Sequence, residues 1–172
     1  MGVALMEPPT LHLIVGLPGA GKTTLARRLE GELPALRLTP DEWIGPLYGE
    51  RLTQPELDAV RDPVENVQWG VAARALSLGA SVVLDFGFWT RAERESFRER
   101  AATLGARSQV HGLVVAKDEL WARLDRRNKD LPPHTFHITR EQLDAWWALF
   151  EPPDDEELRL RSAPEESMQK KY

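Results

Sequence analysis

One run of eight residues constrains this chain more than any other: Gly16-Leu17-Pro18-Gly19-Ala20-Gly21-Lys22-Thr23. It fits the pattern G-x-x-x-x-G-K-[ST] in full. Glycines let the backbone wrap so that its N–H groups point inward at phosphate oxygens. A helix opening directly after the loop adds its free N–H groups and the positive end of its dipole. In that pattern Lys22 reaches the β- and γ-phosphates and Thr23 offers its hydroxyl to magnesium. Gly16 to Thr23, with Thr24 beside them, therefore reads as a cradle for a nucleoside triphosphate and Mg2+. The rival dinucleotide fingerprint G-x-G-x-x-G does not fit, because position 18 is proline.

The flanking sequence supplies the strand and helix that such a loop needs. Thr10 to Val15 is short, apolar and β-branched, which predicts a buried strand. Lys22 to Glu32 places Leu25, Ala26 and Leu29 on one helical face. Further strands are expected at Leu36 to Thr39, Ser81 to Leu84 and Val110 to Val115, with a last candidate at Leu158 to Leu160. Capping-box spacing marks helix starts at Thr39 with Glu42, Thr90 with Glu93, and Thr139 with Gln142. Pro55 to Leu78 reads as mostly helical, with Pro63 kinking or dividing it. Asp118 to Arg127 reads as a helix carrying Leu120, Trp121 and Leu124. Strands alternating with helices imply an α/β fold, a parallel sheet covered on both faces.

The 172 residues allow one domain, 1–172, with a real core. The polar tail from about Pro164 is expected to be loosely held. A net charge of −5 does not advertise the basic face of a nucleic-acid binder. With no cysteine, disulfides and thiolate metal sites are excluded. Met1 to Met6 is too short for a secretory segment, and no window approaches the roughly 20 apolar residues of a membrane helix. A cytoplasmic location is the expectation.

Two aspartates follow strands at the edge where ligands gather in open parallel sheets. Asp85 ends Val82-Val83-Leu84 and suits the magnesium side of the site, or a turn. Asp41 lies just past the second strand. It suits either the carboxylate that orients and deprotonates an attacking hydroxyl, or the negative first turn of any helix. Glu42 reads as the capping partner of Thr39. Arg123, Arg126 and Arg127 end a helix before the proline-rich segment 128–138, which reads as a lid closing over the triphosphate. At least one of these arginines is expected to meet phosphate. Arg91 and Arg94 suit either an acceptor substrate or a salt-bridged surface. Phe86, Phe88 and Trp89 suit either an acceptor pocket or the core. Trp146, Trp147 and Phe150 lie at helical spacing and read as packing. Asn128-Lys129-Asp130-Leu131 fails as a guanine-reading N-K-x-D motif, and His134 with His137 does not suggest zinc.

Together, the loop, Thr39-Pro40-Asp41, Val82 to Asp85 with Thr90-Arg91 beyond, and Leu120 to Leu124 before a lid resemble the small P-loop kinases. That group is similar to the zeta toxins, chloramphenicol phosphotransferase and the polynucleotide-kinase 5′-hydroxyl domain. The resemblance covers about residues 10–150. It implies a P-loop NTPase three-layer sandwich whose five-stranded parallel sheet has the order 2-3-1-4-5. It implies transfer of the γ-phosphate of ATP to a hydroxyl. Asp41 then matches the acceptor-activating aspartate, Asp85 the acid at the end of the third strand and Arg91 a substrate-side arginine. Arg123 and Arg127 fall in the lid segment. The aromatic run Phe86-Gly87-Phe88-Trp89 departs from the small polar stretch frequent in polynucleotide kinases.

The reading these signals favour is an ATP-dependent kinase acting on a small hydroxylated molecule, a nucleoside-like compound or an antibiotic. Lys22, Asp41, Arg123 and Arg127 would be catalytic, Thr23 and Asp85 would serve magnesium, and Asp41, Phe86, Trp89 and Arg91 would meet the acceptor. No base-reading motif separates ATP from GTP. The rivals are a 5′-hydroxyl polynucleotide kinase and a nucleotide-dependent switch without transferase activity. A motor ATPase of the AAA+ type needs a helical subdomain for which the chain lacks length.

Overall fold

Alternation along the first strand sets the layers. In this computed structural model residues 7–49, 51–133 and 135–163 are described. His134 and the tail from 164 lie outside them. In β1 (Thr10–Val15), Leu11, Leu13 and Val15 share one face and His12 and Ile14 the other. The first three are buried with residues of α3 (Gln54–Ser77) and α4 (Arg91–Thr103), including Ala72, Leu76 and Ala101. Ile14 is buried instead with Ala26 and Leu29 of α1 (Lys22–Glu32). Helices thus cover both faces, as the element order implies.

The other elements are β2 (Ala35–Leu38), α2 (Pro40–Tyr48), β3 (Ser81–Gly87), β4 (Arg107–Gly112), α5 (Lys117–Lys129) and α6 (Arg140–Leu149). Four strands form one sheet in the order β2-β3-β1-β4, and every pairing is parallel. Pro63 does not divide α3, which is helical from end to end. The Thr139–Gln142 capping box forms, and Thr90 accepts the Glu93 N–H at 3.2 Å.

The expected fifth strand is not found among the described residues. Leu158 to Leu160, its candidate, belongs to an irregular strap along β4. Arg161 makes one antiparallel bridge to Ser108, with both N–O distances 2.9 Å. Side chains take the carbonyls that a ladder would use. Arg98 donates to the carbonyls of Glu157 (3.0 Å) and Arg159 (3.2 Å), and Gln109 to that of Leu158 (2.6 Å). Backbone acceptors satisfied in this way have no need of a strand partner.

Candidate functional site

The loop after β1 is anchored from below and open above. Leu17 and Ala20 are buried with Leu120 and Leu124 of α5. The Gly16 N–H donates to the Gly87 carbonyl at 3.0 Å. Gly21, the N-cap of α1, sits at φ 97°, a left-handed conformation that a side chain would strain. Pro18, Gly19, Gly21, Lys22, Thr23 and Thr24 line a cavity of about 620 Å³. Lys22 Nζ folds back to the Leu17 carbonyl at 3.1 Å. Burial pushes the Lys22 ammonium pKa down, and Asp85 and Asp41 oppose that shift.

Alternation along β3 turns Asp85 to the face of α1. It is 5% exposed. Its Oδ2 accepts from the hydroxyls of Thr23 (2.7 Å) and Thr39 (3.3 Å), while Oδ1 is buried with no partner. Burial pushes its carboxyl pKa up, against the pull of Lys22 and the two hydroxyls. A lone buried carboxylate oxygen beside a threonine hydroxyl is a hard-oxygen donor set that fits magnesium. No group of three or more His, Cys, Asp or Glu that could hold a metal occurs among the described residues. Phosphate and water oxygens would have to complete the shell, as magnesium commonly requires.

The capping role expected for Glu42 is corrected here. Thr39 makes no side-chain cap to α2. Its hydroxyl accepts from Arg37 Nη1 at 2.6 Å and donates to Asp85. Glu42 turns instead to Arg27 and Arg37, each at 3.0 Å. Two cationic guanidinium groups offer the Glu42 carboxylate full opposite charges, where a capping box would offer one backbone N–H.

Asp41 lines the cavity, and its Oδ1 accepts from Arg61 Nη2 of α3 at 2.7 Å. Arg61 also faces Glu65 at 3.8 Å. Burial lifts the Glu65 carboxyl pKa to about 7, with Arg61 opposing and Glu93, Asp62 and Asp41 adding to the rise.

Arg123 and Arg127 of α5 line the same cavity. Arg123 Nη1 donates to the Gly19 carbonyl at 3.3 Å, and its other edge pairs with Glu119. Arg127 donates to the Phe136 carbonyl at 3.3 Å, and its buried Nε has no partner. Asn128 closes the base of the 128–138 segment, donating to the Ile138 carbonyl (2.7 Å) and accepting its N–H (3.2 Å).

The aromatic run divides. Phe88 is core, 1% exposed, whereas Phe86 and Trp89 line the cavity. Trp146, read from sequence as packing, also lines it, with its ring centroid 5.4 Å from that of Trp89. Arg91 does not join them: its guanidinium pairs with Asp154 at 2.6 Å on the surface. Arg94 is fully buried and holds Glu157. The structure therefore brings together the loop, Asp41, Asp85, Arg123, Arg127, Phe86 and Trp89, and leaves Arg91 outside.

A family model described as an AAA domain matches residues 11–153, most of the chain. The chain belongs to the AAA domain family. Among curated proteins, none matches it. Solved structures similar to this AAA domain share its fold at low identity. One belongs to the Pnkp1/Rnl/Hen1 RNA repair complex, with 18% identity and a TM-score of 0.66; the match covers 91% of this chain and 49% of that one. This chain thus spans about half the length of that protein. Kti12 of Chaetomium thermophilum in complex with ADP-AlF3 matches at 19% identity and TM-score 0.63, over 84% and 81% of the two chains. A gluconokinase from Sinorhizobium meliloti matches at 18% identity and TM-score 0.53, over 88% and 79%. The fold is that of the P-loop kinases, with four strands of the order 2-3-1-4-5 found among the described residues.

Among the cavity-lining residues of the AAA domain that sequence reasoning did not assign to the site are Arg61, Trp146 and Phe136. Arg61 had no signal of its own, since among Asp58, Asp62 and Glu65 on a predicted helix it reads as a surface arginine. Trp146 and Phe136 had none, because their approach depends on how α6 and the 128–138 segment fold back.

Proposed function

We propose that this chain is an ATP-dependent kinase that transfers the γ-phosphate to a hydroxyl of a small molecule, such as a nucleoside-like compound or an antibiotic. One observation carries the reading. Lys22, the Thr23–Asp85 pair, Arg127 and the carboxylate of Asp41 all open onto one cavity. Asp41 accepts the proton as the acceptor oxygen bonds to the γ-phosphorus and the bond to the β,γ-bridging oxygen breaks. Arg61 orients Asp41 for that task. Lys22, Arg123 and Arg127 supply positive charge where the moving group is most negative. Thr23 and Asp85 would hold magnesium, which when bound neutralises phosphate charge. GTP in place of ATP fits the same residues.

The test is transfer of labelled γ-phosphate from ATP to a panel of hydroxyl compounds. Lys22→Ala is expected to lower the rate by about a hundredfold or more, since electrostatics dominates this chemistry. Unlabelled acceptors throughout, with ATP bound normally, would overturn the kinase reading and favour a nucleotide-dependent switch.

The likeness to an RNA repair protein supports a second reading, a polynucleotide 5′-hydroxyl kinase. It requires binding to single-stranded RNA that weakens steeply with salt.

A further inference from the structure

β3 does not stop at Asp85 but runs on to Gly87, and the chain then turns through Phe88 at φ 46°. A bulky side chain in that left-handed region is strained, and such strain persists only where the surroundings hold it. Here they do. Arg94 Nη1 donates to the carbonyls of Phe88 (3.2 Å), Trp89 (3.4 Å) and Glu151 (2.9 Å). Its Nε and Nη2 grip the two oxygens of Glu157 at 2.8 and 3.0 Å. The Glu151 N–H adds a further bond to the Trp89 carbonyl at 2.9 Å. A fully buried ion pair is a poor device for stability alone but a good one for fixing a conformation.

The turn sends two neighbouring aromatics in opposite directions. Phe88 packs inward, its ring centroid 5.0 Å from that of Phe97. Trp89 faces the cavity, tilted 45° to Trp146. Phe86 and Phe136 line the same cavity, which therefore takes aromatic residues from three parts of the chain. None of the four carries a hydroxyl, so the wall offers flat π faces and little to hydrogen-bond a polyol. Asp41, the carboxylate proposed to take the acceptor's proton, lines the same cavity.

We infer that Trp89 and Trp146, with Phe86 and Phe136, form a stacking wall for a flat ring system in the acceptor, and that Arg94 and Glu157 are positioning residues that hold Trp89 in that wall. The substrate class is then a ring-bearing alcohol, with the base of a nucleoside as its natural form, rather than a sugar acid or an open polyol. This rests on the kinase reading above and narrows it.

The experiment has two arms. Tryptophan fluorescence is titrated with adenosine, uridine and naphthalenemethanol against gluconate and glycerol, and the same compounds are tested as acceptors of labelled phosphate. The flat compounds are expected to quench and to be phosphorylated. Trp89→Leu and, independently, Trp146→Leu should raise their KM by roughly tenfold while the dissociation constant of ATP stays within about twofold. Glu157→Gln should raise acceptor KM in the same direction with a smaller effect on kcat, and Glu157→Asp should restore part of it. Quenching that both Trp variants abolish, without transfer to any compound, would sink the kinase reading and leave the wall standing. Gluconate or glycerol serving as the better acceptor, with KM indifferent to both Trp variants, would overturn the wall and leave the kinase. A tenfold loss of ATP affinity in the Trp variants would also overturn it, by giving the wall to the nucleotide base.

Discussion

The hydroxyl of Thr39, just past β2, donates to Oδ2 of Asp85 in β3 at 3.3 Å while accepting from Arg37 at 2.6 Å. One side chain therefore joins a surface cluster of ions to the buried carboxylate beside the phosphate loop. Gln68, fully buried, holds the Thr39 backbone carbonyl at 3.2 Å from the other side. Thr39→Val keeps the shape and removes both bonds. It is expected to cost about 1–2 kcal/mol of stability and to weaken magnesium-dependent ATP binding, whereas Thr39→Ser should retain both. Denaturant melts and calorimetry with and without magnesium check this; a serine variant as impaired as valine would count against the hydroxyl.

The ion pair of Arg94 and Glu157 leaves the two side chains 0% and 3% exposed. The Arg94 guanidinium holds the Glu157 carboxyl below the usual carboxylate range. Glu157→Leu strands a buried cation and should cost about 3–5 kcal/mol. Replacing both partners, Arg94→Met with Glu157→Leu, should cost less than Glu157→Leu alone. Urea unfolding of the three proteins decides it. A double variant worse than the single one would mean that the carbonyl bonds of Arg94, not its charge, dominate.

Gly112 ends β4 where the strap crosses it. A Cβ there would stand 2.7 Å from Pro153 Cγ and 3.3 Å from Leu158. Gly112→Ala must push the strap outward, and a loss of about 1–3 kcal/mol is expected. Gly70, inside α3, has open space around it. Gly70→Ala should instead stabilise by about 0.5–1 kcal/mol. Thermal melts showing the two alanines alike would refute the crossing.

Glu65 gives stability a sign with pH. Its folded pKa of about 7 lies above the ordinary 4.5, so the folded chain holds the proton more tightly. Its contribution is intact below about pH 4.5 and is lost as pH rises through 7. Glu65→Gln cannot ionise. Relative to the unmodified chain, it should gain on the order of 1–3 kcal/mol between pH 5 and 8. His12, whose pKa burial lowers to about 4, works the other way, weakening the fold as pH falls below 6.5. The difference between the two proteins, rather than either raw profile, is the measurement. A difference that does not change with pH would show that Glu65 is not held protonated.

The sequence carried the parts of the site that local chemistry determines. The loop from Gly16 to Thr23 is written in consecutive residues, and Asp85 follows from a strand end and its alternation. Arg61 escaped notice because an arginine on a charged helix looks like any surface arginine until α3 is laid across Asp41. Glu42 was misread because capping-box spacing is local, while Arg27 and Arg37 reach it from two other elements. The fifth strand failed for a related reason. Leu158 to Leu160 has the right apolar character, but Arg98 and Gln109 claim its neighbourhood's carbonyls before a ladder can form.

The strap leaves the sheet with unequal margins. Along β4 the bordering segment binds at one bridge and otherwise through side chains, so that flank is covered by the strap. Among the described residues no strand or bridge lies beyond β2, and Leu36 on it is 40% exposed. Recruitment of a foreign strand, whether from a partner or in aggregation, would therefore begin at β2.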